Sequence, residues 1–314
     1  MSEGVNIFQE ASFMNDALIT KAREDKELVI CPYNEKNLTP VGYNLSFTRF
    51  IVSLRKKTFV KIDHKDDEWF FILRPHETVL VLTRESVWVS RYIGGTFHSK
   101  VSLVTKGLGH VSTTLDPGWY GQLLVPLNNP TKEKIKVVIA HDINGQKEYQ
   151  TFITMVLFRA REASLREKTD NKSGRIELLE EILKEKKKNR DAKYLSEFIQ
   201  QLKQNNDEKI SIDNLNDPQD RTEKIKKFEE GHLRMISEMD ARFEGLNRFS
   251  TKEHNKQVII YCGIIMIWTL ALAGLGLLGY NKLDEMHDLA LTMFSCAIPI
   301  SVFIWEKLYS RICA

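Results

Sequence analysis

His110-Val-Ser-Thr-Thr-Leu-Asp-Pro-Gly-Trp-Tyr-Gly-Gln-Leu-Leu-Val-Pro-Leu-Asn-Asn129 is the run on which the fold turns. It reads as two short strands around a tight corner. Val111, Thr113 and Leu115 alternate along the first, and Leu123, Val125 and Leu127 along the second. Asp116, Pro117 and Gly118 punctuate them: proline presets φ and glycine supplies the positive φ a tight turn needs. Gly121 follows, where a side chain would obstruct close backbone approach. Taken alone the run is an ordinary β-corner, and the segments on either side decide what it belongs to.

Working outward, short β-rich runs recur between turn signals. Candidate strands are Glu27 to Pro32, a second fed by a turn within Asn37 to Thr48, Lys57 to Ile62, Trp69 to Leu73, Thr78 to Thr83, Ser86 to Val89 and Thr96 to His98. Beyond the corner come Ile135 to Ala140 and Thr151 to Phe158, with Asn144-Gly145 as a turn between them. A short helix starts near Asn15 or Asp16, either of which can cap it. Many short strands with regular turns predict a sandwich or barrel rather than a parallel sheet.

The chain has 314 residues, enough for one substantial domain with accessories. A net charge of +3 gives no argument for a nucleic-acid partner. Its four cysteines, Cys31, Cys262, Cys296 and Cys313, are scattered and form no CxxC, which fits a reducing compartment without structural zinc. Met1 to Glu10 is polar and does not read as a secretion signal.

In this order the segments resemble the deoxycytidine triphosphate (dCTP) deaminase and dUTPase superfamily, the deaminase branch most closely. Leu28-Val-Ile-Cys-Pro-Tyr33 and Leu38-Thr-Pro-Val-Gly-Tyr-Asn-Leu45 are similar to its opening, and Phe71 to Glu85 to its block of proline, apolar strand and Thr-x-Glu. Ser99 to Leu108 is similar to its Arg-Ser-Ser-Leu-x-Arg-x-Gly-Leu segment, Asp116 to Gly121 with Asn128 to its third motif, and Phe152 to Phe158 to its closing strand. The resemblance spans residues of about 14–160. It implies a mainly β domain, a distorted jelly-roll or β-barrel of dUTPase type, assembled as a homotrimer with nucleotide sites at subunit interfaces.

The deaminases of that family work without zinc: a Glu activates water for attack at C4 of cytosine, with an Arg and a Ser holding the site. Such chemistry needs a general base beside the attacked carbon. The matching position here is Pro126, which cannot take a proton. Lys100 stands for the first Arg, Val101 and Ser102 for the two Ser, Thr105 for the second Arg, Asn44 for an acidic residue, and Met155 for a Gln. The zinc-deaminase signature, H-x-E with P-C-x-x-C, is absent. Binding chemistry survives. Lys100 and Ser102 suit phosphate oxygens, and Trp119 and Tyr120 offer flat surfaces. Thr105, His110 and Gln122 complete the nucleotide-facing candidates. Asp116 matches the residue that positions water in the dUTPase branch, and serves equally well as a turn cap. Trp119 suits core packing as well as a nucleobase, and His64 and His76 lie in polar turns. No resident cofactor is expected; Mg2+ would enter only with nucleotide phosphates.

Residues 161–256 are charged and helical in pattern. Arg175 to Lys203 carries apolar residues at Ile176, Leu179, Leu183, Leu195, Phe198, Ile199 and Leu202, with a basic run from Lys184 to Arg190. After a polar break with Pro218, Arg221 to Arg248 places Ile225, Phe228, His232, Met235, Met239 and Leu246 near heptad spacing, with Arg242 in the seam. The expectation is an oligomeric stalk or coiled coil. Residues 257–314 read as a transmembrane hairpin: Val258 to Tyr280 carries no charge over 23 residues, and Leu289 to Trp305 is the shorter return run. Gly274, Gly276 and Gly279 allow close helix packing. Basic flanks (Arg248, Lys252, Lys256, Lys307, Arg311) and an acidic loop (Asp284, Glu285, Asp288) put both termini in the cytoplasm and the loop outside.

The combined expectation is a nucleotide-binding protein of the inner membrane, homo-oligomeric, in which a degenerate deaminase-like domain senses a ligand and acts through the membrane segment. That layout resembles bacterial membrane effectors of antiviral defence. The alternative is an active membrane-tethered dCTP deaminase or dUTPase-type hydrolase.

Overall fold

In the computed structural model the strand residues form a curled sheet, and the described residues are 12–110, 112–165, 175–184, 196–200 and 220–243. They all lie within the compact unit Met1–Phe243. The chain opens with β1 (Ser12–Met14) and α1 (Asp16–Glu24), then β2 (Leu28–Cys31), β3 (Leu38–Thr39), β4 (Gly42–Ser53), β5 (Thr58–Phe59), β6 (Asp63–Lys65), β7 (Glu68–Leu73) and β8 (Thr78–Val89). There follow β9 (Ile93–Ser99), the one-turn α2 (Val101–Val104), β10 (Gly109–His110), β11 (Thr114–Leu115), β12 (Tyr120–Asn128), β13 (Ile135–Ile143), β14 (Gln146–Tyr149), β15 (Thr151–Arg159) and α3 (Ile176–Lys184).

Eleven strands form one sheet whose main path runs β10-β12-β8-β4-β15-β9-β11; β14-β13-β7-β6 form a second. Strand β4 is the bend. Its first part, Tyr43 to Ser46, pairs with β15, while Phe47 to Ser53 pairs with β8, so one strand serves both faces of the curl. The core lies between those faces, where the Phe47 and Phe152 rings stack 4.4 Å apart. Alternation sets the register: Leu123, Val125 and Leu127 are buried, as the sequence pattern requires. Gly42 is demanded by packing, because a Cβ there would lie 2.2 Å from the Met155 carbonyl oxygen.

Several local expectations hold. Asn15 caps α1, its Oδ1 accepting from Leu18 N at 3.0 Å. At the corner Trp119 N donates to Asp116 O at 3.1 Å and Gly118 has φ +75°, a type II turn with Pro117 leading. Asn144 and Gly145, at φ 52° and 78°, make the two-residue turn joining β13 to β14.

Others change. Thr78 to Thr83 and Ser86 to Val89 are one twelve-residue strand, β8. Arg84 and Glu85 look like a break but point opposite ways. Arg84 reaches Asp240 at 3.1 Å, and the buried Glu85 accepts from Ser46 N at 2.7 Å. Of Lys57 to Ile62 only Thr58–Phe59 is strand. Lys57 sits at φ 54°, which ends the extended run on that side. Helical residues expected in 175–203 appear over 176–184 and 196–200. The 220–243 helix does not turn its heptad positions toward other copies. Phe228, His232, Met235 and Met239 are buried within this unit, Phe228 and His232 against the sheet itself, so the coiled-coil reading gives way to a docked helix. Leu246 and the whole of residues 257–314, the expected hairpin, lie outside the described residues. Among the described residues no helix is long and apolar enough to cross a membrane.

Candidate functional site

Strand β9 positions the candidate residues. It lies between β15 and β11, and its alternate residues face outward with those of its neighbours. Thr96 opposes Thr114, His98 opposes Thr154, and Thr154 in turn opposes Asn44. The Thr154 hydroxyl donates to Asn44 Oδ1 at 2.7 Å, and Thr96 Oγ1 and His98 Nε2 lie 2.9 Å apart. The result is an outward ladder of hydroxyl, amide and imidazole groups across four strands, suited to hydrogen-bonding a polar ligand. His98 is its exposed titratable member. Sequence reasoning missed it, although Thr-x-His within an alternating strand was the available signal.

The two ends of β9 hold the principal candidates. Asp116 follows β11 and accepts from Thr114 Oγ1 at 3.4 Å. Because Leu115 opposes Gly95, Asp116 stands beside Gly94. Lys100 follows the other end of β9, its ammonium donating to Thr151 Oγ1. Partial burial pulls the Lys100 pKa below the usual lysine value, because leaving water disfavours the ammonium. Six residue steps separate Gly94 from Lys100, or roughly 20 Å of extended chain. Within one chain, therefore, Asp116 and Lys100 do not meet.

The remaining candidates scatter. Ser102 and Thr105 are exposed on and just after α2, the Thr105 hydroxyl donating to Ser102 O at 3.4 Å. His110 pairs with Leu127 through its backbone, β10 to β12. Trp119 belongs to the core, 8% exposed, with Nε1 donating to Gly121 O at 3.0 Å. It is not free to stack on a base. Gln122 is fully buried and donates to Thr83 O at 2.7 Å, holding β12 to β8. It too is structural. Tyr120 packs on Phe228 of the 220–243 helix, ring centroids 5.0 Å apart. The residue closing the run, Asn129, is buried and gives its amide to Leu73, Arg74 and Glu133 carbonyls at 3.2, 3.0 and 2.7 Å, fixing the loop after β12.

Pro126 sits in β12 directly opposite Leu80, which opposes Val52, which opposes Phe59. The position expected to carry a base is thus one of a row of apolar residues. The buried carboxyl of Glu85 in β8 has its pKa raised by burial and accepts from Ser46 N. It is enclosed in protein and cannot reach a ligand. His64 is exposed, in keeping with its polar turn, and also stacks on Trp69 at 4.3 Å and lies 3.0 Å from an Asp142 carboxylate oxygen. Among the described residues no three His, Cys, Asp or Glu groups converge to hold a metal.

A family model described as dCTP deaminase-like matches residues 13–144. The dCTP deaminase of Pyrococcus horikoshii is 31% identical over 114 residues, covering 36% of this chain and 69% of that one. The dUMP-forming dCTP deaminase of Tropheryma whipplei is 28% identical over 138 residues, covering 40% and 70%. Among solved structures, the 2'-deoxycytidine 5'-triphosphate deaminase from Agrobacterium tumefaciens aligns with TM-score 0.37 and 12% identity, over 48% of this chain and 47% of that one. Through residues 13–144, the chain belongs to the dCTP deaminase-like family.

Proposed function

We propose that the β domain binds a pyrimidine deoxynucleotide without deaminating it, and that the chain is a membrane-tethered sensor. The observation that carries the reading is Pro126, set in β12 against Leu80 where the reaction needs a proton acceptor. What remains is suited to binding: the Asn44–Thr154–His98 ladder and Lys100, whose ammonium is a point charge for phosphate. Because Lys100 and Asp116 stand at opposite ends of β9, a complete site takes Lys100 from one copy and the Asp116 corner from another, so the working form is a homo-oligomer. Mg2+ would enter with the nucleotide's phosphates and is not held by the chain alone. Tethering rests on the uncharged runs Val258 to Tyr280 and Leu289 to Trp305, and the basic flanks keep the β domain in the cytoplasm.

A second reading, an active deaminase or diphosphatase, draws on the relatives' names and on Asp116, half-exposed at the end of the ladder. Full-length protein incubated with dCTP or dUTP separates the two. The expected result is binding in equilibrium dialysis, weakened about tenfold in Lys100→Ala (the loss of one charge-assisted contact), with no release of ammonia or pyrophosphate. Turnover that Asp116→Ala abolishes would replace the sensor reading with the enzymatic one.

A further inference from the structure

The 220–243 helix runs over the outer face of β2, β8 and β4, and its contacts differ along its length. At one end Phe228 and Ile225 close over Val29, Cys31 and Trp88, with the Tyr120 ring of the corner alongside. At the other, Phe243 packs edge-on against Phe50 and Phe59, at 6.4 and 5.2 Å. Between them the buried Met235, Ile236 and Met239 alternate with polar contacts. The buried His232 donates from Nε2 to Arg84 O at 2.9 Å. Asp240 accepts from Arg84 Nη1 at 3.1 Å and from the Tyr149 hydroxyl at 2.6 Å, and the Arg84 guanidinium lies 4.1 Å over the Tyr149 ring. The apolar residues along the helix supply attraction, whereas the part-buried Arg84–Asp240–Tyr149 group fixes one register and contributes little net stability. A helix held in this way docks in one pose and is easily biased.

The same strand carries both the helix and the corner. Thr83 O accepts from Gln122 of the corner strand, Arg84 binds the helix, and Trp88, opposite Tyr120, is the floor for Phe228. A shift of the corner therefore moves two of the surfaces on which the helix rests. We infer that the 220–243 helix is a strap that opens as a unit from the β2–β8 face, and that ligand at the Asp116–Gln122 corner sets its opening through Tyr120 and β8. The ligand half of this inference rests on the nucleotide-binding reading above.

Cys31 supplies the readout, being a free, buried thiol whose Sγ lies 3.8 Å from Glu229 O beneath the helix. Full-length protein is alkylated with N-ethylmaleimide at pH 7.5, and modification of Cys31 is followed by peptide mass spectrometry, which separates it from the other cysteines. Glu229 and Asp240 are about 16 Å apart along the helix. Asp240→Asn is expected to speed Cys31 alkylation about tenfold, and Tyr149→Phe, which removes only the hydroxyl, about threefold. Unchanged circular dichroism shows in each case that the β domain is folded. A Cys31 rate unchanged in both variants would mean that opening is local, and would overturn the strap. In the wild type, bound dCTP or dUTP, verified by equilibrium dialysis, is expected to change the rate at least threefold. A nucleotide that binds and leaves the rate alone overturns the coupling while the binding reading stands. Failure of both nucleotides to bind overturns the ligand half together with that reading, and leaves the strap to be decided by the two variants.

Discussion

Acid should loosen the docked helix through His232. The ring is 5% exposed, and its Nε2–H is committed to Arg84 O at 2.9 Å. Burial lowers its pKa from 6.5 to about 4; the hydrogen bond to the Arg84 carbonyl raises it somewhat, and the Arg84 guanidinium lowers it again. The other charged or titratable groups along this seam are Asp240, Tyr149 and Glu229. Since the docked state holds the lower pKa, it binds fewer protons than the released state. Its stabilisation is complete above pH 6.5 and is lost as pH falls toward 4. Linkage sets the slope at about 1.4 kcal/mol per pH unit within that window, or roughly 3 kcal/mol over the whole of it. The assay is thermal or urea unfolding of the full chain at pH 7.5, 6.5, 5.5 and 4.5, comparing wild type with His232→Gln. The Gln amide can still donate to Arg84 O and does not titrate. At pH 7.5 the variant should be less stable by about 1 kcal/mol, through lost ring packing against Phe228. As pH falls, the two curves should converge and then cross. Carboxylates titrate in both proteins and cancel in the difference. Parallel curves, with a gap constant to about 0.5 kcal/mol across the range, would refute the reasoning, because His232 would then have the same pKa docked and released.

Gly118→Ala should destabilise the protein by about 1–2 kcal/mol, because φ +75° lies in the left-handed region, although a Cβ would meet nothing nearer than Arg91 Cγ at 3.9 Å; a denaturation midpoint equal to wild type would place the strain elsewhere. Gly231→Ala lies within the 220–243 helix with open space around its Cβ, and should stabilise docking by about 0.5–1 kcal/mol. The check is slower Cys31 alkylation, and a faster rate would show that the helix is not held as described. Pro126→Glu should not restore deamination, since the new carboxylate would face Leu80 in an apolar row. Release of ammonia from dCTP by this variant would show that one side chain alone separates this chain from a working site.

The sequence legibly carried the local devices. Asn15 as a cap, Pro117-Gly118 and Asn144-Gly145 as turns, and Leu123, Val125 and Leu127 as one inward face all follow from chemistry within a few residues. The ordered series of motifs was sufficient to place residues 13–144 in their family. That Pro126 cannot act as a base was also readable without a structure, because no environment gives proline a proton-accepting side chain.

The candidate site was less legible. Trp119 and Gln122 carry the residue types of a binding surface, but the curl of the sheet turns both inward. Which face of a strand meets solvent depends on partners far away in sequence: Gln122 is held by Thr83, and Asn44 meets Thr154, 110 residues on. His98 entered the ladder for the same reason. The helix shows the limit most plainly. Heptad spacing at Phe228, His232, Met235 and Met239 determines that this face will be buried, because apolar surface leaves water wherever it can. It contains nothing that names the surface it will meet. Only the tertiary structure, by bringing Trp88, Arg84 and Phe50 to one outer face, decides that the partner is the chain's own sheet.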